Sequence, residues 1–118
     1  MSKVAIVYHS GYGHTKRMAE AVAAGAKADL IAIDAEGNLP DGALDTLAAA
    51  DAIIFGSPTY MGGPAAQFKA FADATGGKWF SAAWRDKLAA GFTVSNSPSG
   101  DKQGTLNYLF TLDRKSVV

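Results

Sequence analysis

The stretch that decides the fold is Val4-Ala5-Ile6-Val7-Tyr8-His9-Ser10-Gly11-Tyr12-Gly13-His14-Thr15. Its first half is an apolar run rich in Val and Ile, which is typical of a strand buried on both faces. A short loop of small and hydroxylated residues follows, and a helix begins after it. Residues at helical spacing predict the inward face of that helix, namely Thr15, Met18, Ala19, Val22, Ala23 and Ala26.

The loop between this strand and this helix is suited to a phosphate. The first N–H groups of a helix have no carbonyl partner within it, and the helix dipole adds positive potential there. Gly11 and Gly13 allow a sharp turn, and Ser10 and Thr15 add hydroxyl donors. The loop lacks the Lys of G-x-x-x-x-G-K-[ST] and is not G-x-G-x-x-G, so a single terminal phosphate fits it best. A strand-turn-helix without a ligand is the alternative that this loop alone leaves open.

Composition is that of one globular domain and excludes several functions. The 118 residues are 48% hydrophobic and 19% charged, which argues against disorder. Eleven basic and eleven acidic residues give a formal net charge of +0, so we expect no nucleic-acid partner. There are no cysteines, and no cluster of His, Asp and Glu has the spacing of metal ligands. Since the sequence shows neither a membrane-length apolar run nor a signal peptide, we expect a cytoplasmic protein without a membrane partner.

The rest of the chain alternates strands with helices. We predict strands at 29–34, 52–56 and 87–93, and helices around 44–48, from Pro64 onwards and over 105–112. The helix after Pro64 has a buried stripe made of Ala65, Phe68, Phe71, Ala72 and Thr75. Such alternation predicts an α/β fold, with a parallel sheet covered on both faces.

Three loops follow strand ends on the same edge of this predicted sheet, at 10–15, 58–62 and 95–104. Each is rich in Gly, Ser, Thr or Asn. Ligands of such sheets bind beyond the carboxyl ends of the strands, where the winding reverses. We therefore expect the three loops to form one site.

The segments Tyr8-His9-Ser10-Gly11-Tyr12-Gly13-His14-Thr15 and Ile53-Ile54-Phe55-Gly56-Ser57-Pro58-Thr59-Tyr60-Met61-Gly62 resemble the flavodoxin-like family of NAD(P)H:quinone oxidoreductases, also called tryptophan-repressor-binding-protein-like. The similarity runs from Lys3 to about Leu112. It implies a flavodoxin-like, doubly wound parallel sheet of order 2-1-3-4, with FMN as cofactor and NAD(P)H as co-substrate. It also implies an enzyme that reduces quinones or free flavin by two electrons, in which the flavin and no side chain carries the chemistry.

The resemblance assigns ligand contacts by position. The FMN phosphate is assigned to Ser10, Gly11, Tyr12, Gly13, His14 and Thr15. The isoalloxazine is assigned to Pro58, Thr59, Tyr60, Met61 and Gly62, and the opposite wall to Ser95, Asn96, Ser97 and Gly100. The nicotinamide or quinone is assigned to Tyr12 and Trp79. The segment 97–103 is bulkier and more charged than the Gly-rich pattern of the family.

Several aromatic and His residues have a simpler structural alternative. Tyr60 either stacks on the flavin or is a surface aromatic, and Trp79 and Trp84 either face substrate or fill a hydrophobic gap. His14 either contacts phosphate or is a solvated residue of the first helical turn. We expect His9, at the end of the first strand, to pack locally.

The chain departs from the family at its end. Residues 113–118 resemble nothing in the family, so we interpret 1–118 as a single domain shortened after about residue 112, without the family's fifth strand and final helix. The fourth strand would then be an unpaired edge beside uncovered apolar surface, and such edges pair with other chains. We therefore expect a homo-oligomer.

Three other functions are alternatives to this enzyme. A flavodoxin-type one-electron carrier is the nearest alternative, although such carriers are strongly acidic and this chain is neutral. A signalling receiver domain needs an acidic cluster after the first strand and a phospho-accepting Asp at the end of the third. His9-Ser10 and Gly56-Ser57 stand at those places, which excludes it. A folded fragment without flavin is the remaining alternative.

Overall fold

Five strands and four helices form within residues 2–77 and 83–117, the part of the chain that the computed structural model describes. The strands are β1 (Val4–His9), β2 (Asp29–Ile33), β3 (Ala52–Tyr60), β4 (Gly63–Pro64) and β5 (Leu88–Val94). The helices are α1 (His14–Ala26), α2 (Ala43–Ala49), α3 (Ala66–Ala74) and α4 (Gln103–Val117). Within these ranges no helix has the length and apolar character needed to cross a membrane.

The main sheet is parallel and has the order β2-β1-β3-β5. The predicted order 2-1-3-4 is thereby confirmed, because the fourth predicted strand is β5. The two-residue β4 pairs antiparallel with the end of β3. Since β2 and β3 lie on opposite sides of β1, the winding reverses between β1 and β3, and the carboxyl end of β1 faces the point of reversal.

The apolar core follows from the alternation of side chains along the strands. Ala5 and Val7 point to the larger core, which α2, α3 and α4 cover with side chains that include Leu47, Phe68 and Leu109. The smaller core lies on the other face, where Ala19 of α1 packs against Ile6 and Tyr8 of β1. The stripe predicted for α3 is confirmed, because all five of its residues are buried.

The stripe predicted for α1 is wrong at two positions. Thr15 and Ala19 are buried, but Met18 is 44% exposed and Ala26 is exposed as well. Met18 stands at the border of the helical stripe, about 60° from Thr15, as the helix period of 3.6 residues dictates. Ala26 is the last residue of α1, before the chain turns away through Lys27 at φ +53°.

The segment 58–62, predicted as a loop, belongs largely to β3. That strand does not end at Gly56, because Pro58 is paired with Val94 of β5. The strand then turns back on itself and Thr59 pairs with Pro64, so Pro64 lies in β4 and α3 begins only at Ala66. The sequence gives no local sign of this extension, because partners that are distant along the chain produce it.

Candidate functional site

The loop after β1 is held by the hydroxyl of Ser10. Ser10 Oγ accepts hydrogen bonds from the backbone N–H groups of Gly13 and Lys16, each at 3.1 Å. Gly13 has φ +93°, a left-handed conformation that L side chains rarely adopt, and it caps the N-terminus of α1. The local sequence therefore folds as a turn whose N–H groups converge on one point.

Two other backbone N–H groups at the start of α1 are available to bind an anion. The N–H groups of His14 and Thr15 belong to the first turn of α1, where no helical carbonyl can accept them. Thr15 is buried, while Lys16 and Arg17 are exposed. The donors around the turn are thus amides and hydroxyls, with the helix dipole behind them, and this donor set fits a phosphate.

Tyr60 closes the loop from the opposite side. A Cβ added at Gly11 would lie 2.5 Å from Tyr60 Oη, so the Tyr60 side chain would have to shift if a larger residue stood there. The Tyr60 pKa is raised, mainly by burial and then by Tyr12, although a hydrogen bond from the Gly11 backbone opposes the rise. The Tyr12 ring meets the Tyr60 ring edge to face, with centroids 6.1 Å apart and planes at 80°. The two rings form the rim between the loop and the cleft beside it.

A cleft of about 400 Å³ opens next to this rim. It is lined by Tyr12, His14, Thr15, Pro58, Thr59, Tyr60, Val94, Ser95 and Asn96. Eight of these nine were predicted from the sequence, and they come from the three predicted loops. Val94 was missed because the predicted strand ended at residue 93. The register Pro58–Val94 puts it opposite a predicted residue.

The other predicted contacts do not line this cleft. Ser10, Gly11 and Gly13 lie in the loop beside it, whereas Met61, Gly62, Ser97 and Gly100 are exposed or part of outer turns. Their assignment to FMN stays a prediction. Trp79 lies outside the described residues. Trp84 is buried against Phe55, with centroids 6.5 Å apart, so it fills the hydrophobic gap.

The bulky segment after β5 is folded on itself. Ser95 Oγ donates to Asp101 Oδ1 at 2.9 Å, and Lys102 Nζ donates to the Ser97 carbonyl at 2.7 Å. Burial alone would raise the pKa of Asp101, but hydrogen bonds from Ser95 and Lys102 outweigh it and lower that pKa. The charges of this segment therefore shape the wall formed by Ser95 and Asn96.

His9 plays a structural part, as predicted. It is buried, and its Nδ1 lies 3.0 Å from the carbonyl oxygen of Ile33. Because a carbonyl only accepts, Nδ1 carries the hydrogen. The bond ties the carboxyl ends of β1 and β2 together next to the candidate site.

Three features are typical of a flavodoxin-like protein. They are the reversal of winding beside β1, the turn at 10–15 whose donor set fits a phosphate (the phosphate turn), and the cleft next to it. The sequence model of the family described as NADPH-dependent FMN reductase matches residues 3–110. This chain belongs to that family. The match confirms the predicted resemblance, and FMN and NADPH are the flavin and the reductant in the description of that family.

Individual relatives agree with this family. The chain is 57% identical over 112 residues to Flavodoxin FldP of Pseudomonas aeruginosa. The matched region covers 95% of this chain and 61% of that protein. It is 37% identical over 128 residues to an NAD(P)H dehydrogenase (quinone) of Geotalea daltonii, covering 88% of this chain and 62% of that one. The chain thus spans less than two thirds of both curated relatives.

A solved structure is similar as well. It is that of a WrbA-like flavodoxin from Agrobacterium tumefaciens, with 62% identity and a TM-score of 0.96. The similarity covers 98% of this chain and 74% of the solved chain. The flavodoxin-like fold predicted from the sequence is confirmed.

Proposed function

We propose that this chain binds FMN and takes part in the NAD(P)H-dependent, two-electron reduction of quinones or of free flavin. The observation that carries the proposal is that His14 and Thr15, in the first turn of α1, line the same cleft as 58–60 and 94–96. A mononucleotide needs these two parts side by side. Relatives named NAD(P)H dehydrogenase (quinone) support the choice of reductant and acceptor.

The residues of the site would act by binding and orientation. The first turn of α1 and the Thr15 hydroxyl would hold the phosphate, and the two walls of the cleft would exclude water from the ring. Bound FMN supplies hydride acceptance and two-electron transfer. Tyr12, 82% exposed at the rim, would meet a nicotinamide or a quinone. No side chain of the cleft has to provide an acid for this chemistry.

The phosphate assignment can be tested with Thr15→Val, which removes a hydroxyl while keeping the shape of the side chain. We expect FMN to bind about tenfold more weakly, because a hydrogen bond to a charged group is lost. Riboflavin, which lacks the phosphate, should bind equally to the variant and the original chain. Fluorescence quenching of each flavin gives both dissociation constants.

Thr46→Val is the matched control. The Thr46 hydroxyl donates to the Gly42 carbonyl at 3.3 Å at the start of α2, and Thr46 does not line the cleft. It should leave both affinities unchanged. The proposed site would be contradicted if Thr15→Val weakened the binding of FMN and of riboflavin equally. It would also be contradicted if the original chain did not bind FMN.

The reaction itself is tested by anaerobic mixing of the FMN-loaded protein with NADH or NADPH. We expect loss of the oxidised flavin absorption near 450 nm, followed by its return when a quinone is added. Steady-state rates should show a ping-pong pattern, because the two substrates use the same exposed rim in turn. A bound flavin that stays oxidised with both nucleotides would refute the enzymatic proposal.

A one-electron carrier is the second candidate, favoured by the 57% identity to Flavodoxin FldP. Such a carrier would not be reduced by NAD(P)H alone, and stepwise chemical reduction would proceed in two separate one-electron stages. The NAD(P)H mixing experiment therefore separates the two candidates.

Self-association stays a prediction. Among the described strands β5 pairs only with β3, and Leu88 at its start is 73% exposed. The strand Leu88–Val94 has no charged residue to discourage edge pairing. Sedimentation velocity should show a species larger than one chain, and a clean monomer would refute the expectation.

A further inference from the structure

Three threonine hydroxyls meet at the carboxyl edge of the sheet. Thr59 Oγ1 lies 2.7 Å from Thr93 Oγ1, and it donates to Thr105 Oγ1 at 2.8 Å. Thr59 is 7% exposed and Thr105 is fully buried. The three side chains come from β3, β5 and α4, so they join three separate elements.

Thr59 is the centre of this cluster. A hydroxyl has one hydrogen to donate, and Thr59 gives it to Thr105, so Thr93 must donate to Thr59. Valine has about the same volume as threonine, but its side chain forms no hydrogen bonds. Replacing Thr59 by valine would leave the two remaining hydroxyls without the partner they share, and buried polar groups without partners are costly.

The cluster joins both walls of the cleft. Thr59 lies between Pro58 and Tyr60 on one wall, whereas Thr93 directly precedes Val94 on the other. Thr105, in the first turn of α4, follows the segment 95–102 that continues the second wall. The Thr59 hydroxyl therefore fixes this segment at both of its ends.

A backbone contact marks the same junction. A Cβ added at Gly104 would lie 2.4 Å from the carbonyl oxygen of Gly62. The start of α4 and the turn after β3 are thus in direct contact beside the threonine cluster. This close approach does not depend on the hydroxyls and packs the start of α4 against the turn after β3.

We propose that Thr59 is a positioning residue whose hydroxyl, through Thr93 and Thr105, sets the width of the cleft for the isoalloxazine ring. This inference rests on the proposed FMN site. Thr59 acts on the ring end of the ligand, whereas Thr15 acts on the phosphate end. Loss of the Thr59 hydroxyl should therefore weaken the binding of riboflavin and the binding of FMN by the same factor.

The test compares Thr59→Val, Thr59→Ser and Thr105→Val with the original chain. We expect both valine variants to bind FMN and riboflavin about tenfold more weakly, with the serine variant restoring affinity because it keeps the hydroxyl. The double variant Thr59→Val/Thr105→Val should bind no more weakly than Thr59→Val, since loss of the Thr59 hydroxyl already removes its bond to Thr105. Thr111→Val is the control, because its hydroxyl donates to the Asn107 carbonyl within α4.

Further measurements keep the result decisive. Urea unfolding of each variant separates a folding defect from a binding defect, and Thr93→Val replaces any variant that does not fold. Unchanged flavin affinity in Thr59→Val, a serine variant as weak as the valine variant, or weakening confined to FMN would each overturn the inference.

Hydrogen exchange of the flavin-free protein gives a readout that does not need the cofactor. Thr59→Val should raise the exchange of amides in 95–102, whereas Thr111→Val should not. If the original chain binds neither flavin, the proposed function fails and this exchange alone decides the positioning role. Unchanged exchange in 95–102 would then refute it.

Discussion

Asp113 offers a sharp test of how burial affects the stability of this chain. It lies on α4 four residues after the buried Leu109, so both occupy the same face of the helix. Its Oδ1 is buried without a hydrogen-bond partner. Desolvation raises the pKa of Asp113 from 3.8 to about 6.

The sign of the effect follows from proton linkage. Between pH 4 and pH 6 the folded chain binds more protons at Asp113 than the unfolded chain does, so stability falls as the pH rises through this window. The pKa difference corresponds to about 3 kcal/mol at most. Since Asp113 is only partly buried, solvent screening reduces the expected loss to about 1 kcal/mol.

Asp113→Asn removes this loss while keeping the shape of the side chain. In urea unfolding, the variant should be about 1 kcal/mol more stable than the original chain at pH 7.5 and nearly equal to it at pH 4.5. Asp101→Asn is a control of opposite sign, because hydrogen bonds lower the pKa of Asp101 and its stabilising effect is lost as the pH falls. A difference between Asp113→Asn and the original chain that does not change with pH would refute the reasoning.

Three further predictions concern stability. Gly13→Ala should cost about 1–2 kcal/mol from backbone strain alone, since φ is +93° and no atom lies within 4 Å of the added Cβ; a smaller loss in urea unfolding would contradict this. Phe55→Ala should lose about 3–5 kcal/mol, because Phe55 is fully buried among three other rings, and a melting temperature near the original would be inconsistent with that packing. Lys87→Met should lose about 1–3 kcal/mol, because Lys87 Nζ donates to the carbonyls of Ala48 and Ala50 where α2 ends. Lys87→Arg should recover part of that loss, and equal stability of the Met variant would show that water replaces these bonds.

The parts of the fold that were predicted correctly are those encoded locally. The apolar runs of β1 and β5 and the period of α3 are visible within a few residues, and each was confirmed. The length of β3 was not visible in this way. The segment Ser57-Pro58-Thr59-Tyr60 is typical of a turn in composition, and it stays extended only because β5 and β4 pair with it.

The site shows the same division. Glycines and hydroxyls after β1 were enough to predict a tight turn there, since the groups that form it belong to one continuous stretch, whereas its binding of a phosphate stays a prediction. Thr93 and Thr105 were not identified, because a threonine in a strand or helix has no local feature that distinguishes a shared hydroxyl from an ordinary one. Their role depends on the Thr59 side chain, which lies 34 residues before Thr93 and 46 residues before Thr105 in the sequence.

One face of β3 explains how the fold turns into a site. Ile53, Phe55, Ser57 and Thr59 alternate onto the same face, and along it the side chains change from apolar to hydroxylated. The apolar half packs in the larger core, where shape alone matters. In the other half, Ser57 Oγ accepts the Ala65 N–H at 3.0 Å just before α3, and Thr59 bonds to α4. Because hydrogen bonds are directional, this half fixes the starts of both helices relative to the cleft, which apolar packing alone would leave less defined.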